Sequence, residues 1–252
     1  MCITREGWRE LLVGTVVLGG LVLLSGLWFP PLAIPFVIVW AWLVSFFRDP
    51  KRVREYAPND LCAPADGTVT EIAELEKYEP ITGRAVRIGI FLSLFDVHAN
   101  RSPCGGRIRS LEYRPGRFLD ARHPDSGRRN ESNTIVLDPA DPMPGPVVVR
   151  QIVGLIARRI VCHGLVGDEW TAGQRFGMLK FGSRTELIIP RRADTEICVS
   201  LGDKVRAGMT IVARQPVASP VDPPHPAAGP RCDEEGNAGS PDPRELLTES
   251  GE

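Results

Sequence analysis

Arg175-Phe176-Gly177-Met178-Leu179-Lys180-Phe181-Gly182-Ser183-Arg184 runs directly into Thr185-Glu186-Leu187-Ile188-Ile189-Pro190. Two apolar, strand-like pieces meet at a Gly-Ser pair, which by itself reads as an ordinary hairpin turn. The same texture extends outward: Ala85 to Leu94, Thr134 to Leu137, Val147 to Val153 and Glu186 to Ile189 are short β-branched and apolar runs bounded by Gly and Pro. From about Ala57 to Arg214 few segments are long and periodic enough for helices, so the pattern predicts a mainly β domain with few helices.

That domain carries an internal echo. Gly167-Asp168-Glu169-Trp170-Thr171-Ala172-Gly173 returns in pattern as Gly202-Asp203-Lys204-Val205-Arg206-Ala207-Gly208, each followed by an apolar strand. Gly supplies positive φ and Asp bonds its own backbone, so both copies suit tight corners. They resemble the hammerhead corners of lipoyl and biotinyl carrier folds, which implies a barrel-sandwich, hammerhead-like β domain.

Toward the N-terminus the texture changes. Leu11 to Trp28 carries no charge, and after Pro30-Pro31 a second uncharged stretch runs from Leu32 to Phe47. Each is close to the length that spans a bilayer, and no small-residue cleavage site precedes the second, so a transmembrane helical hairpin over residues 1–48 is expected rather than a signal peptide. Arg5 and Arg9 before it, with Arg48, Lys51, Arg52 and Arg54 after it, put both flanks in the cytoplasm by the positive-inside tendency. The expected location is the cell membrane, with the catalytic domain, residues 49–215, on its cytoplasmic face. Residues 216–252 are rich in Pro, Gly, Asp and Glu and hold too little apolar surface to offset ordering entropy, so a disordered tail is expected.

Composition narrows the function classes. The formal net charge is -1, so no global basic excess draws the chain to nucleic acid. Six scattered cysteines contain no CxxC pair and read as reduced thiols, not a metal site or a disulfide framework. His98, His123, His163 and His225 are the histidines. His98 stands two residues from Asp96 and, on a strand, would share its side.

Several separated segments together resemble the short phosphatidylserine decarboxylases. Phe46-Phe47-Arg48-Asp49-Pro50 follows the membrane segment, then Ala63-Pro64-Ala65-Asp66-Gly67, and then Phe91-Leu92-Ser93-Leu94-Phe95-Asp96-Val97-His98-Ala99-Asn100-Arg101. Tyr113-Arg114-Pro115-Gly116-Arg117-Phe118 and Gly154-Leu155-Ile156-Ala157-Arg158-Arg159-Ile160 come next. Phe181-Gly182-Ser183-Arg184, after a Gly-x-x-Phe-Gly-Met lead, matches the family's processing site. Asn130-Glu131-Ser132-Asn133 departs from the Asn-Glu-Arg-Asn more often found there.

Decarboxylating an amino acid leaves a carbanion that no side chain delocalises well, and an electrophilic carbonyl forming a Schiff base with the substrate amine is a suitable sink. The chain has no convincing pyridoxal phosphate signature. The resemblance implies instead a covalent pyruvoyl cofactor made from the chain itself: the Ser183 hydroxyl attacks the Gly182 carbonyl to give an ester, β-elimination releases a β chain ending at Gly182 and leaves dehydroalanine at position 183, and hydrolysis with loss of ammonia caps the α chain, 183–252, with pyruvoyl. It further implies phosphatidylserine as substrate and phosphatidylethanolamine and carbon dioxide as products.

A serine hydroxyl needs a base to activate it. By the resemblance Asp96 and His123 activate Ser183, with His98 as proton donor to the carbanion or as base in place of His123. Arg101 is the expected head-group contact, and Arg158, Arg159 and Arg184 are further basic groups that suit a lipid phosphate. His163 is read as structural, no metal ligand set is expected, and a homo-oligomer is compatible with the whole reading. Two rivals stand beside it: a membrane-anchored carrier domain modified on Lys180, and a zinc peptidase using His98, His123 and Asp96 or His163.

Overall fold

The computed structural model describes residues 2–123, 125–140, 143–155, 159–180 and 183–216, the side chains of Cys2 and Arg5 excepted. Gly182, Arg158, His225 and the tail from residue 217 onward therefore lie outside the described residues.

Helix α1 (Trp8–Trp28) and helix α2 (Ala33–Phe46) form the N-terminal hairpin, joined by a 3-10 turn at Pro30–Leu32. Proline suits such a first turn because its missing N–H would have no helical partner there. The 21 residues of α1 give about 31 Å of length, enough to cross a bilayer. The 14 residues of α2 give about 21 Å, short of a full crossing on their own. The second apolar stretch thus differs from the expected second span, because the turn at Pro30–Leu32 takes up its start. The helices touch: Trp40 Nε1 donates to Thr15 Oγ1 at 3.1 Å, and a Cβ added to Gly14 would stand 2.3 Å from Leu43 Cδ2. Strand β1 (Cys2–Ile3) pairs antiparallel with β2 (Arg48–Asp49), so both ends of the hairpin return to one level.

The rest is mainly β, as the sequence predicts. In chain order the strands are β3 (Asp60–Cys62), β4 (Gly67–Leu75), β5 (Ala85–Leu92), β6 (Ala99–Arg101), β7 (Gly106–Arg114), β8 (Ser132–Pro139), β9 (Val147–Ile152) and β10 (Ile160–Cys162). They continue with β11 (Glu169–Trp170), β12 (Arg175–Leu179), β13 (Ser183–Pro190), β14 (Glu196–Ile197), β15 (Lys204–Val205) and β16 (Ile211–Arg214). One helical turn, α3 (Ser126–Arg129), precedes β8. An eight-stranded antiparallel sheet runs β11-β7-β8-β9-β13-β5-β4-β15, flanked by the three-stranded sheets β10-β12-β6 and β14-β16-β3.

Alternation along these strands sets two faces. Val86, Ile88, Ile90 and Leu92 of β5 join Val147 and Val149 of β9 and Leu187 and Ile189 of β13 in the main core. On the opposite face Arg87, Arg150, Arg184, Glu71 and Glu186 form a charge lattice in which Arg150 and Arg184 both bond Glu186, and Arg87 and Arg184 both bond Glu71. Burial opposes ionisation of Glu71, yet the hydrogen bonds from Arg87 and Arg184 hold its carboxyl below the usual range.

The two echo segments fold alike. Asp168 accepts from Leu165 N–H at 2.8 Å and Asp203 from Ser200 N–H at 2.8 Å. Gly167 and Gly202 have φ of 97° and 91°, and Gly173 and Gly208 have φ of 74° and 67°. One corner supplies edge strand β11 and the other supplies edge strand β15, at opposite ends of the large sheet. The corners meet: a Cβ on Gly208 would lie 3.4 Å from Gly173 Cα. That contact curls the sheet into a partly closed barrel, which is how the hammerhead pattern acts in three dimensions.

Candidate active site

Ser183 is the first residue of β13, and its Cα partner is Leu92 at the end of β5. Its parity puts it on the core face with Thr185, Leu187 and Ile189. Its side chain is fully buried, and Oγ has no hydrogen-bond partner among the described residues. A buried hydroxyl left unpaired costs about 1–3 kcal/mol, so its retention calls for a chemical reason.

The chain leaving Leu92 leads back to the site. Asp96 closes a turn, its Oδ2 accepting from Ser93 N–H at 2.8 Å and Ser93 Oγ–H at 2.7 Å. Strand β6 begins only at Ala99, so Asp96 and His98 do not share a strand face; the turn joins them instead. His98 Nδ1 lies 2.9 Å from the Asp96 carbonyl oxygen. A carbonyl only accepts, so Nδ1 carries the proton and Nε2 is the basic nitrogen. His98 is fully buried, and burial pushes its imidazole down to about 4, the nearby Asp96 opposing only in part. The ring packs on Phe46 at the end of α2, centroids 4.3 Å apart.

Strand β12 leads toward Ser183 from the other side. Leu179 N–H donates to the His98 carbonyl at 3.1 Å, so the His98 backbone is fixed to this strand. The glycines of the Gly-x-x-Phe-Gly-Met lead have separate reasons. Gly173 takes φ of 74°, which side chains rarely adopt. Gly177 leaves room for a neighbouring strand, since a Cβ there would stand 2.1 Å from the Val161 carbonyl oxygen.

One row beyond Ser183 on the same face is a set of buried amides that sequence reading passed over. Asn133 and Thr185 are both Cα partners of Gln151. Asn133 Nδ2 donates to Gln151 Oε1 at 3.0 Å, Gln151 Nε2 to Asn100 Oδ1 at 2.9 Å, and Asn100 Nδ2 to Thr185 Oγ1 at 3.3 Å. Parity was the available signal: Gln151 follows the inward-facing Val147 and Val149 at the same two-residue step.

The remaining expected residues fall elsewhere. His123 is exposed in its own turn, its Nδ1 accepting from Asp125 N–H at 3.1 Å. Among the described residues no hydrogen bond joins it to Asp96 or Ser183. Its turn meets β5 on the charged face, where the Arg122 guanidinium stands 5.7 Å from the centroid of the Phe91 ring, opposite the core face that carries Ser183. Arg101 is buried, with Nη1 bonded to the Gly173 carbonyl and Nη2 to Asp49 at 2.7 Å and the Pro50 carbonyl. Those bonds tie the Arg48-Asp49-Pro50 segment to the meeting corners. Arg184 belongs to the charge lattice on the far face, and His163 bonds Glu6 at 2.5 Å. Among the described residues no three His, Cys, Asp or Glu side chains converge as a metal site. Lys180 is only 5% exposed, unlike the protruding lysine that a carrier domain needs.

The phosphatidylserine decarboxylase family model matches residues 39–213. The chain is 46% identical over 210 residues to a phosphatidylserine decarboxylase proenzyme of Rhodopirellula baltica, covering 83% of this chain and 87% of that one. Proenzymes of the same name from Cupriavidus metallidurans and Burkholderia vietnamiensis are 40% and 38% identical, each across 84% of this chain and 94% and 95% of their own lengths. With the family model matching residues 39–213 and this likeness along most of its length, the chain belongs to the phosphatidylserine decarboxylase family.

Proposed function

We propose that this protein decarboxylates phosphatidylserine to phosphatidylethanolamine at the cytoplasmic face of the cell membrane, after cutting itself between Gly182 and Ser183. The observation that carries the reading is the Ser183 hydroxyl, buried at the head of β13 without a partner among the described residues. An orphan hydroxyl there fits a group that is consumed, not one kept for stability. The residues present therefore suit a pyruvoyl group made from Ser183, which when formed supplies the electron sink for the carbanion left by carbon dioxide loss.

The chain's own groups divide the remaining work. His98, neutral at physiological pH, takes the Ser183 proton at Nε2 as the hydroxyl attacks the Gly182 carbonyl. Asp96 orients His98 through its carbonyl and its turn, and its charge favours the imidazolium that forms. After maturation the same imidazole holds the proton that quenches the carbanion. This assignment gives His98 the role of base in place of His123. The amide row of Asn133, Gln151, Asn100 and Thr185 fixes the strands on which Ser183 stands. The Phe46 ring and the hairpin keep bulk water from His98 and bring the site to the bilayer surface, where a phospholipid head group is presented. The residues after α2 include Arg48, Lys51, Arg52 and Arg54, which supports a cytoplasmic orientation.

The test is the intact mass of the purified chain beside Ser183→Ala, with hydroxylamine to trap a reactive carbonyl. Two fragments divided after Gly182, with a trappable carbonyl on the smaller and no division in the variant, are expected. A single uncut wild-type chain would overturn the reading. Carbon dioxide release from serine-labelled phosphatidylserine tests the substrate.

A further inference from the structure

Lys180 lies three positions before Ser183, at the end of a strand whose neighbours are apolar. A buried ammonium is costly unless paired, and this one is paired with the membrane anchor. Its Nζ donates to Glu10 Oε1 at 2.6 Å and to the Glu6 carbonyl at 2.9 Å, and stands 6.0 Å from the Phe47 ring centroid. Glu10 is in the first turn of α1, where the helix dipole favours a carboxylate. Its other oxygen is buried with no hydrogen-bond partner among the described residues, so the carboxylate depends on the bond that Lys180 makes to Oε1.

The contact is one of several between the same two elements. Glu6 bonds both Arg175, at the start of β12, and His163. Thr4 Oγ1 donates to Met178 Sδ at 3.7 Å, and Phe46, Phe47 and Met178 of β12 share a small core with Leu11, Trp42 and Leu43. Residues 179 and 180 are thereby held from two sides: Leu179 by the His98 carbonyl and Lys180 by the start of α1. A chain that cuts itself must hold nucleophile, base and target carbonyl in attack geometry, and a misplacement of about 1 Å costs on the order of a hundredfold in rate.

We propose that Lys180, gripped by Glu10 and the Glu6 carbonyl, is a positioning residue for self-cleavage, so that maturation depends on the start of the membrane helix being docked on β12. This rests on the self-cleavage reading above. The anchor is then part of the maturation machinery as well as a tether, and an undocked precursor stays uncut.

Pulse-chase of the full chain in membranes measures the rate at which precursor divides, for wild type, Glu10→Gln, Lys180→Met, the double variant and Lys180→Arg. The rates are compared at a temperature where the same substitutions in a Ser183→Ala background are folded by thermal melting. We expect each single variant to slow division about tenfold. The double should be no slower than the slower single, because both remove one contact, and Lys180→Arg should retain most of the rate. Division of either single variant at the wild-type rate would overturn the proposal, as would effects that multiply in the double. A wild-type chain that never divides removes the self-cleavage reading itself, a result distinct from uniform division across the set.

Discussion

The His98 imidazole and the Phe46 ring lie 4.3 Å apart by centroid at an interplanar angle of 38°, so the last residue of α2 forms a wall of the candidate active site. This contact makes the environment of the proposed base depend on the N-terminal hairpin, and it carries two consequences.

The first concerns acid. His98 is fully buried, and burial pushes its imidazole from the ordinary 6.5 down to about 4. The folded state holds this imidazole neutral while the unfolded chain protonates it near 6.5, so its neutral form is compatible with the fold above that pH and stability is lost as pH falls toward 4. The loss should be on the order of 3 kcal/mol across this window. Chemical denaturation of the Ser183→Ala chain in detergent at pH 7 and pH 4, beside the same chain with His98→Gln, checks this. The difference between the two chains' pH slopes should carry the His98 share.

The second concerns the wall. Phe46 is 1% exposed, so Phe46→Ala should destabilise by about 3–5 kcal/mol through lost burial and a residual cavity. Water reaching His98 should also raise its pKa toward 6.5, moving the acid limb of the self-cleavage rate to higher pH. A pH-rate profile of precursor division reads the shift directly, and an unmoved limb would show that Phe46 does not set the imidazole's environment.

Removing the Ser183 hydroxyl should stabilise the uncut chain. Its Oγ is buried and has no partner among the described residues, so Ser183→Ala relieves a polar-desolvation cost and should raise unfolding free energy by about 1 kcal/mol. The reference is a chain that keeps the hydroxyl but cannot divide, such as His98→Gln if that substitution blocks division. Thermal melting of His98→Gln with and without Ser183→Ala supplies the comparison.

The amide row should respond in the opposite way. Gln151→Leu deprives Asn133 Nδ2 and Asn100 Oδ1 of their partner, leaving two buried polar groups unsatisfied. The expected cost is about 2–4 kcal/mol, with slower precursor division because Asn100 also bonds Thr185, two residues from Ser183. Melting and pulse-chase measure the two effects separately. Replacing the exposed His123 with Gln should leave stability within about 0.5 kcal/mol.

The sequence by itself determined the β class, the uncharged N-terminal stretches and the paired Gly-Asp corners, because these rest on local periodicity and on the backbone demands of Gly and Asp; the Gly182-Ser183 junction reads locally as a plain turn and stands out only through the family resemblance. The runs from Thr134 and Glu186 fall within β8 and β13, and those from Ala85 and Val147 start with β5 and β9 and continue past Leu92 and Ile152, where those strands end. Only the tertiary structure separated the two candidate histidines by their surroundings. The resemblance paired Asp96 with His123 and kept His98 as proton donor or alternative base, but burial, the Asp96 carbonyl and the Phe46 ring act on His98 and solvent surrounds His123. The tertiary structure also decided that Arg101 is bonded internally to Asp49 and that Lys180 pairs with Glu10. Those partners stand 52 and 170 residues apart, and a long-range ion pair leaves no trace in local composition. The physical reason is general: periodicity records which face a residue takes, whereas the partner it meets there depends on how distant segments are brought together.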